Sequence, residues 1–283
     1  MLRPARAGDE AAMETFLAAH AETSMFLRGN LHNFGLFERN DPHGTEYWIA
    51  ETGGEIAAIF GISNGGFAMS QAPGAPDSLW DAFAGCLRGR ELAGLSGEEA
   101  QVAQSKRALG IGRAALSLDD PEPLFRLSLD RLRLPDGTGG IRRPIEADRA
   151  LLERWNAAYV TELRMGTPGR VATESRERAE RAIKGDDTRL LISDGTPVAM
   201  TALNARLPDM VQIGGVYTPP DLRGRGHARR AVALHMDELR GDGVTTAILF
   251  ASGPAACRAY EAIGFERIGT YALVFLKEPV VIG

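Results

Sequence analysis

The 283-residue sequence is poor in cysteine, in long apolar runs and in net positive charge, and each shortage excludes a class of protein. Its only cysteines, Cys86 and Cys257, belong to no CxxC motif and no cysteine–histidine cluster, so zinc and iron–sulfur sites have no support. No run of 18 apolar residues occurs, which argues against a membrane span. The net charge of −5 provides no general basic surface for nucleic acid.

The cysteine content and the first residues of the sequence indicate the cellular compartment of the protein. Two thiols in a chain of this length fit a reducing environment. Residues 1–9 become charged where a signal peptide would be apolar. We therefore expect a cytoplasmic protein with no metal, no membrane contact and no nucleic-acid partner.

An internal repeat organises the chain. Two segments of the first half recur in the second half in the same order and at nearly the same offset. The matched pairs are 2–17 with 141–155, and 48–63 with 190–205. The first pair predicts a short strand and an amphipathic helix, with Asp9 and Asp148 as helix N-caps. The second pair predicts a hairpin whose Gly and Asp residues provide the positive φ of its turn.

Residues 135–140 are rich in glycine and lie between the two copies, which predicts a linker. We expect one domain over 1–134 and a second over 141–283. In the second half, antiparallel strands come first and a strand–loop–helix–strand unit follows. This order predicts an α/β fold in which a mixed sheet carries helices on its faces.

The stretch that carries chemistry follows a predicted strand at 210–218. A Pro-Pro turn leads into Arg-Gly-Arg-Gly-His-Ala at 223–228, and then into a predicted helix over 226–240. This order is typical of a diphosphate site, because glycines allow close backbone approach and the helix start adds partial positive charge. Four cations surround the loop: Arg223, Arg225, Arg229 and Arg230.

Two nucleotide-binding motifs do not fit this loop. A Rossmann fingerprint needs Gly or Ala where Arg229 stands, and a P-loop needs a Gly-Lys-Ser/Thr sequence that is absent. On the loop alone, a plain arginine-containing turn stays open as an alternative.

Residues 213–234 resemble the acetyl-CoA-binding motif of the GCN5-related N-acetyltransferase (GNAT) superfamily. Its signature, Arg/Gln-x-x-Gly-x-Gly/Ala, is matched by Arg223, Gly226 and Ala228. The resemblance implies two tandem GNAT-like domains, each a mixed, mostly antiparallel sheet flanked by helices.

A later element of the superfamily is also present. Residues 247–265 resemble its strand followed by Tyr-x-x-x-Gly-Phe, here Tyr260, Gly264 and Phe265. Many relatives carry an Asn near the start of the intervening helix, where this sequence has Gly-Pro-Ala-Ala-Cys at 253–257. The coenzyme contact that this Asn makes is therefore not expected here.

The resemblance implies acetyl-CoA as co-substrate, no metal, and direct acetyl transfer to a primary amine in a ternary complex. Strand residues would pair with the pantetheine arm and stabilise the oxyanion through an amide hydrogen, while loop amides would hold the diphosphate. The coenzyme contacts implied in this way are Val216, Tyr217, Thr218, Arg223, Gly224, Arg225, Gly226, His227, Ala228 and Arg229.

The catalytic groups are less defined. Tyr260 matches the position from which the family often protonates the departing thiolate, although a purely packed aromatic fits as well. Glu162, on a predicted helix, is a candidate general base, and Asp209 is a second. A solvated surface carboxylate is the favoured interpretation of each. His235 and Cys257 are expected to be structural, and His227, in the diphosphate loop, is not expected to transfer a proton.

The first half lacks an equivalent loop. Arg107–Gly112 matches the signature, but it follows a predicted helix and precedes a strand, which is the reverse of what a diphosphate loop needs. At the position that the repeat indicates, residues 71–80 contain one glycine, no arginine and Asp77. We therefore expect a degenerate first domain and one acetyl-CoA per chain.

Two functions follow from the sequence. The first is an N-acetyltransferase that acts on a small-molecule or peptide amine. The alternative is an acetyl-CoA sensor or regulatory module that kept the binding site and lost turnover. The first domain would then shape the acceptor groove or an oligomer interface, and a homodimer stays open.

Overall fold

The computed structural model describes residues 1–165 and 169–283, with Ala114 described by its backbone only. It divides into two compact units, one of residues 1–121 with 270–283 and one of residues 122–269. This division differs from the predicted one in two places. Residues 122–134 belong to the second unit, and residues 270–283 belong to the first.

The first unit forms one sheet. Its elements in chain order are β1 (Leu2–Pro4), α1 (Glu10–Ala18), α2 (Ala21–Phe34), β2 (Thr45–Thr52), β3 (Glu55–Ser63), β4 (Phe67–Gln71), α3 (Asp77–Cys86), β5 (Glu91–Glu98), α4 (Glu99–Ala108) and β6 (Leu116–Asp119). The strands from β1 to β4 pair antiparallel in sequence order, and β4 pairs parallel with β5.

The second unit repeats this arrangement. Its elements are β7 (Glu122–Ser128), β8 (Gly140–Arg142), α5 (Arg149–Glu162), α6 (Val171–Lys184), β9 (Thr188–Ser193), β10 (Thr196–Arg206), β11 (Met210–Tyr217), α7 (His227–Gly241), β12 (Thr246–Phe250) and α8 (Pro254–Glu261). The strands from β8 to β11 pair antiparallel, and β11 pairs parallel with β12. The predicted mixed, mostly antiparallel sheet with flanking helices is confirmed.

In each unit, a further strand pairs antiparallel with the second strand of the parallel pair. The last strand of the chain, β13 (Glu266–Val281), pairs antiparallel with β5 of the first unit from Tyr271 onward. In the second unit, β7 pairs antiparallel with β12. Alternation of apolar residues shows which face of a strand is buried but not which neighbouring strand it pairs with. The sequence alone therefore does not predict these two pairings.

The repeat extends to side chains. Asp9 accepts two hydrogen bonds from Arg3 at 2.8 and 3.1 Å, and Asp148 accepts two from Arg142 at 2.6 and 2.9 Å. The guanidinium groups hold the pKa of both carboxyls below the usual range. The predicted N-cap role of the two aspartates is wrong, because neither side chain caps its helix. Each carboxylate instead accepts hydrogen bonds from the preceding arginine side chain and from a backbone N–H of the turn.

The second sheet is buried on both faces. The face under α7 and α8 contains the predicted helix stripe Val232, Met236 and Leu239, all of them buried. The opposite face packs against α5 and α6 through Trp155 and Tyr217. Helices on both faces leave the ends of the strands as the place where a ligand can reach the sheet.

Among residues 1–165 and 169–283, no helix combines the length and apolar character that a membrane crossing requires. In the same residues, no three His, Cys, Asp or Glu side chains come together in a way that could hold a metal ion.

Candidate active site

β11 continues beyond its pairing with β12. Their parallel pairing runs up to Ile213 and Leu249, and no later pair joins them within the described part of the chain. Residues 214–217 stay in β11 and continue to pair with β10. We call the space beside residues 214–217, on the side where the pairing with β12 has ended, the gap, and backbone groups of β11 line one side of it.

A β-bulge lies on β11 beside this gap. One extra residue lies between the positions of β11 that pair with Ala202 and Met200 of β10. Gly215 in the bulge has a φ of +58°, and a Cβ there would come within 3.0 Å of the Ala202 Cβ. Glycine is thus required by both conformation and space, and the bulge turns the end of β11 away from a regular ladder.

The glycine loop lies between the end of β11 and the start of α7. Gly224 and Gly226 have φ values of +76° and +80°, in the left-handed region that favours glycine. The backbone N–H groups of residues 224–229 have no hydrogen-bond acceptor among the residues that the structure describes. Six consecutive unpaired donors, three before and three within the first turn of a 15-residue helix, fit an anionic group such as a diphosphate.

Arg223 holds the loop in place. Its guanidinium donates to the Glu162 carboxylate at 2.7 and 2.9 Å, and its Nε donates to the Thr218 carbonyl at 2.9 Å. It also lies 5.8 Å from the centroid of the Tyr217 ring. The loop is thereby tied both to the end of β11 and to the end of α5. Glu162, the predicted base, is engaged in this ion pair, which favours a positioning role.

The other arginines differ in what they contact. Arg225 donates to the Asp221 carbonyl at 3.1 Å, and Arg230 donates to the Pro135 carbonyl at 2.7 Å. The Arg229 guanidinium has no partner among the described residues, and its Nε is buried. Arg229 is therefore the loop cation whose charge is left for a ligand.

Tyr260, on α8, is 8% exposed and packs edge-on against Phe265, with ring centroids 5.9 Å apart. Burial raises the pKa of its phenol, and the neighbouring Tyr159 and Glu122 raise it further. The side chain is thus a packed aromatic that stays protonated across neutral pH. Its hydroxyl is available as a hydrogen-bond donor.

Two residues near the gap were not predicted as site residues. The Gly215 N–H donates to the hydroxyl of Tyr159 on α5 at 3.2 Å. Glu122 on β7 accepts a hydrogen bond from the Ser252 hydroxyl, in the loop after β12. No local pattern marks either residue, because a lone tyrosine in a helix and a lone glutamate before a strand fit many structural roles.

The remaining candidates lie away from the gap or are buried. Asp209 precedes β11, about 25 Å from the end of an eight-residue strand, and its carbonyl accepts from Thr245 and Thr246. His235 is fully buried, and neither ring nitrogen has a partner in the described residues. Burial, together with the positive charge of Arg189, lowers the pKa of His235 to about 4.

The first unit has a gap at the same place in its sheet, but its own side chains occupy the edge. The parallel pairing of β4 with β5 ends at Met69 and Ser96. Beyond that point the Ala72 N–H donates to the Gln101 side chain at 2.7 Å. The following helix starts after Pro76, which has no N–H, and carries Asp77 in its first turn.

The chain is similar to known proteins both in sequence and in fold. Residues 153–265 match the acetyltransferase (GNAT) family. A Drosophila protein superposes with a TM-score of 0.63 at 15% identity, over 97% of this chain and 98% of its own. A GCN5-related N-acetyltransferase from Kribbella flavida gives 0.57 at 17% identity, over 93% and 96%. A tandem GNAT protein from the clavulanic acid biosynthesis pathway gives 0.54 at 16%, over 100% and 98%.

These structures share the fold over nearly the whole chain, including both units. No protein of curated function matches the sequence.

Proposed function

Residues 153–265 match the acetyltransferase (GNAT) family, and we propose that the chain is an acyltransferase that transfers acetyl from acetyl-CoA directly to a primary amine in a ternary complex. The observation that carries this proposal is the run of six unpaired N–H groups at 224–229, beside the gap between β11 and β12. The acceptor is a small-molecule or peptide amine.

The coenzyme would bind along the second unit. The loop N–H groups and Arg229 would hold the diphosphate, and the backbone of residues 216–218 would run beside the pantetheine arm. The buried Thr218 hydroxyl has no partner among the described residues, and it offers a further polar group where the strand meets the loop. Arg223 and Glu162 would hold the loop and the end of β11 in position rather than contact the reacting atoms.

Acetyl-CoA supplies the activated thioester. We assign Tyr260 the role of hydrogen-bond donor to the departing sulfur. Because the raised pKa of its phenol lies above the value of about 8.5 for an ordinary thiol, Tyr260 stabilises the thiolate without giving up its proton completely.

We propose one coenzyme site per chain. In the first unit, Gln101 takes the backbone donor at the equivalent edge, and Asp77 would repel a phosphate at the helix start. These features support a first unit that has lost the coenzyme site.

Calorimetric titration of the full chain with acetyl-CoA tests the proposal, and one bound molecule per chain is expected. Arg229→Met should weaken binding about 10- to 100-fold, since a hydrogen bond to a charged group contributes about 1.5–3 kcal/mol. Arg240→Met, at the other end of α7, is the matched control and should leave affinity unchanged.

Thiol release in the presence of a panel of primary amines then tests turnover. Tight binding with no release from any amine would favour the sensor function, and absence of binding would refute the proposal.

A further inference from the structure

The strand β7 places a carboxylate at the open end of β12. In their antiparallel register Phe250 lies opposite Leu124, which puts Ser252 opposite Glu122 two residues farther on. The Ala251 N–H donates to the Pro123 carbonyl at 3.1 Å, and the Ser252 hydroxyl donates to the Glu122 carboxylate. Two contacts thus fix Glu122 beyond the last regular pair of the two strands.

The face of the sheet on which Glu122 lies follows from alternation. Phe125 and Leu127 of β7 belong to the core under α7 and α8. Side chains of a strand alternate between faces, so Glu122 lies on the opposite face, the one covered by α5. Tyr159 approaches the bulge from that same helix through its bond to the Gly215 N–H.

Glu122 and Tyr159 therefore lie on the same face of the sheet, near the strand ends. Burial raises the pKa of the Tyr159 phenol and that of the Tyr260 phenol, and the negative charge of Glu122 raises both further, in agreement with its place at the strand ends. The hydrogen bond from the Gly215 N–H and the positive charge of Arg178 on α6 oppose this rise at Tyr159. Tyr260 belongs to the core on the α8 face, whereas Glu122 and Tyr159 lie on the α5 face.

Resting on the proposed function, we infer that Glu122 is the general base, which accepts the proton of the attacking amine, and that Ser252 is its positioning residue. The acceptor then approaches from the α5 face of the sheet. Glu122 lies outside the family-matched residues 153–265 and comes from the strand that completes the second unit.

Acetyl transfer with Glu122 as the base forms one bond and breaks one. The nitrogen–carbon bond forms, the carbon–sulfur bond breaks, and the electron pair of that bond stays on sulfur beside the Tyr260 hydroxyl. Glu122 takes one proton from nitrogen and releases it to solvent, and the sulfur takes one up. The products are an amide and a thiol, and Glu122 is ionised again.

Kinetics of Glu122→Gln, with the amine that gives most thiol release, test the inference. We expect kcat to fall about 100-fold or more while acetyl-CoA affinity by calorimetry is unchanged. The acid-side decline of kcat/KM with falling pH should disappear in Glu122→Gln and be kept in Glu122→Asp. Glu261→Gln, an exposed carboxylate beside Tyr260 in sequence, is the matched control and should behave as wild type.

Ser252→Ala tests the positioning role. Loss of its hydrogen bond removes a group that favours the ionised carboxylate, so the acid-side decline should move to higher pH while affinity stays unchanged. An unmoved profile would remove that role from Ser252.

A crystal structure of the wild-type chain with CoA gives a readout that needs no turnover. We expect the CoA sulfur within about 6 Å of the Glu122 carboxylate, the span of one bridging water. A bound CoA whose sulfur lies farther away, or full turnover in Glu122→Gln, would overturn the inference alone. If CoA does not bind, the proposed function fails and the inference fails with it.

Discussion

Replacing Gly226 by valine separates the backbone geometry of the loop from its charge. Gly226 has a φ of +80°, and a Cβ there would meet only the Arg229 guanidinium, at 3.5 Å. Space therefore does not forbid a side chain, but conformation does. A non-glycine residue in the left-handed region costs about 1–2 kcal/mol, and a β-branched one is a clear outlier there. The loop of Gly226→Val should relieve this strain by rotating, which turns N–H groups away from the ligand.

The expected loss follows from those donors. Each hydrogen bond to a charged group contributes about 1.5–3 kcal/mol, so loss of one should lower acetyl-CoA affinity about 10- to 100-fold. Calorimetric titration measures this, and denaturant unfolding measures the strain, with a loss of about 1–2 kcal/mol expected.

Gly243→Val is the matched control. Gly243 has a φ of +98° in the turn after α7, with nothing within 4 Å of a Cβ, so it should lose similar stability and bind acetyl-CoA normally. If Gly226→Val lost stability as the control does but kept wild-type affinity, the backbone of the loop would not hold the coenzyme.

Three further outcomes are expected. Tyr260→Phe keeps the packing and loses the hydroxyl, so turnover should fall with little change in acetyl-CoA affinity; unchanged turnover would remove its role. The pKa of His235 in the folded protein is lowered to about 4, so its neutral side chain contributes fully to the free energy of unfolding above about pH 6.5 and progressively less towards pH 4. His235→Leu should abolish this acid-dependent loss of stability. The wild type should lose about 2 kcal/mol from this group between pH 7 and 5 in denaturant unfolding, and an equal loss in the variant would contradict the assignment. Val274→Ala, at a fully buried position of β13, should cost about 1–3 kcal/mol and weaken hydrogen-exchange protection in β5; unchanged protection there would count against the pairing.

The sequence predicts what is encoded locally. The strand at 210–218, the helix at 226–240 and the glycine loop between them all occur within one or two residues of their expected places. The loop can be recognised from the sequence because the glycines and arginines that would bind the coenzyme are adjacent in the chain. The stripe of Val232, Met236 and Leu239 is readable for the same reason.

What the sequence misses depends on contacts between distant segments. Glu122 meets Ser252 across 130 residues, and no pattern around either residue marks the pair. Asp148 resembled a helix cap because local competition from Arg142 cannot be weighed without geometry. The ion pair between Glu162 and Arg223 likewise joins residues 61 positions apart, and the sequence does not indicate it.

The pairing of β13 with β5 also constrains synthesis of the protein. While a ribosome makes residues 122–269, the first unit has all of its helices but lacks the strand that covers β5. During that interval β5 presents an unpaired edge, where a nascent chain can pair wrongly or recruit a chaperone. The first unit is therefore completed only after residues 122–269 of the second have been made.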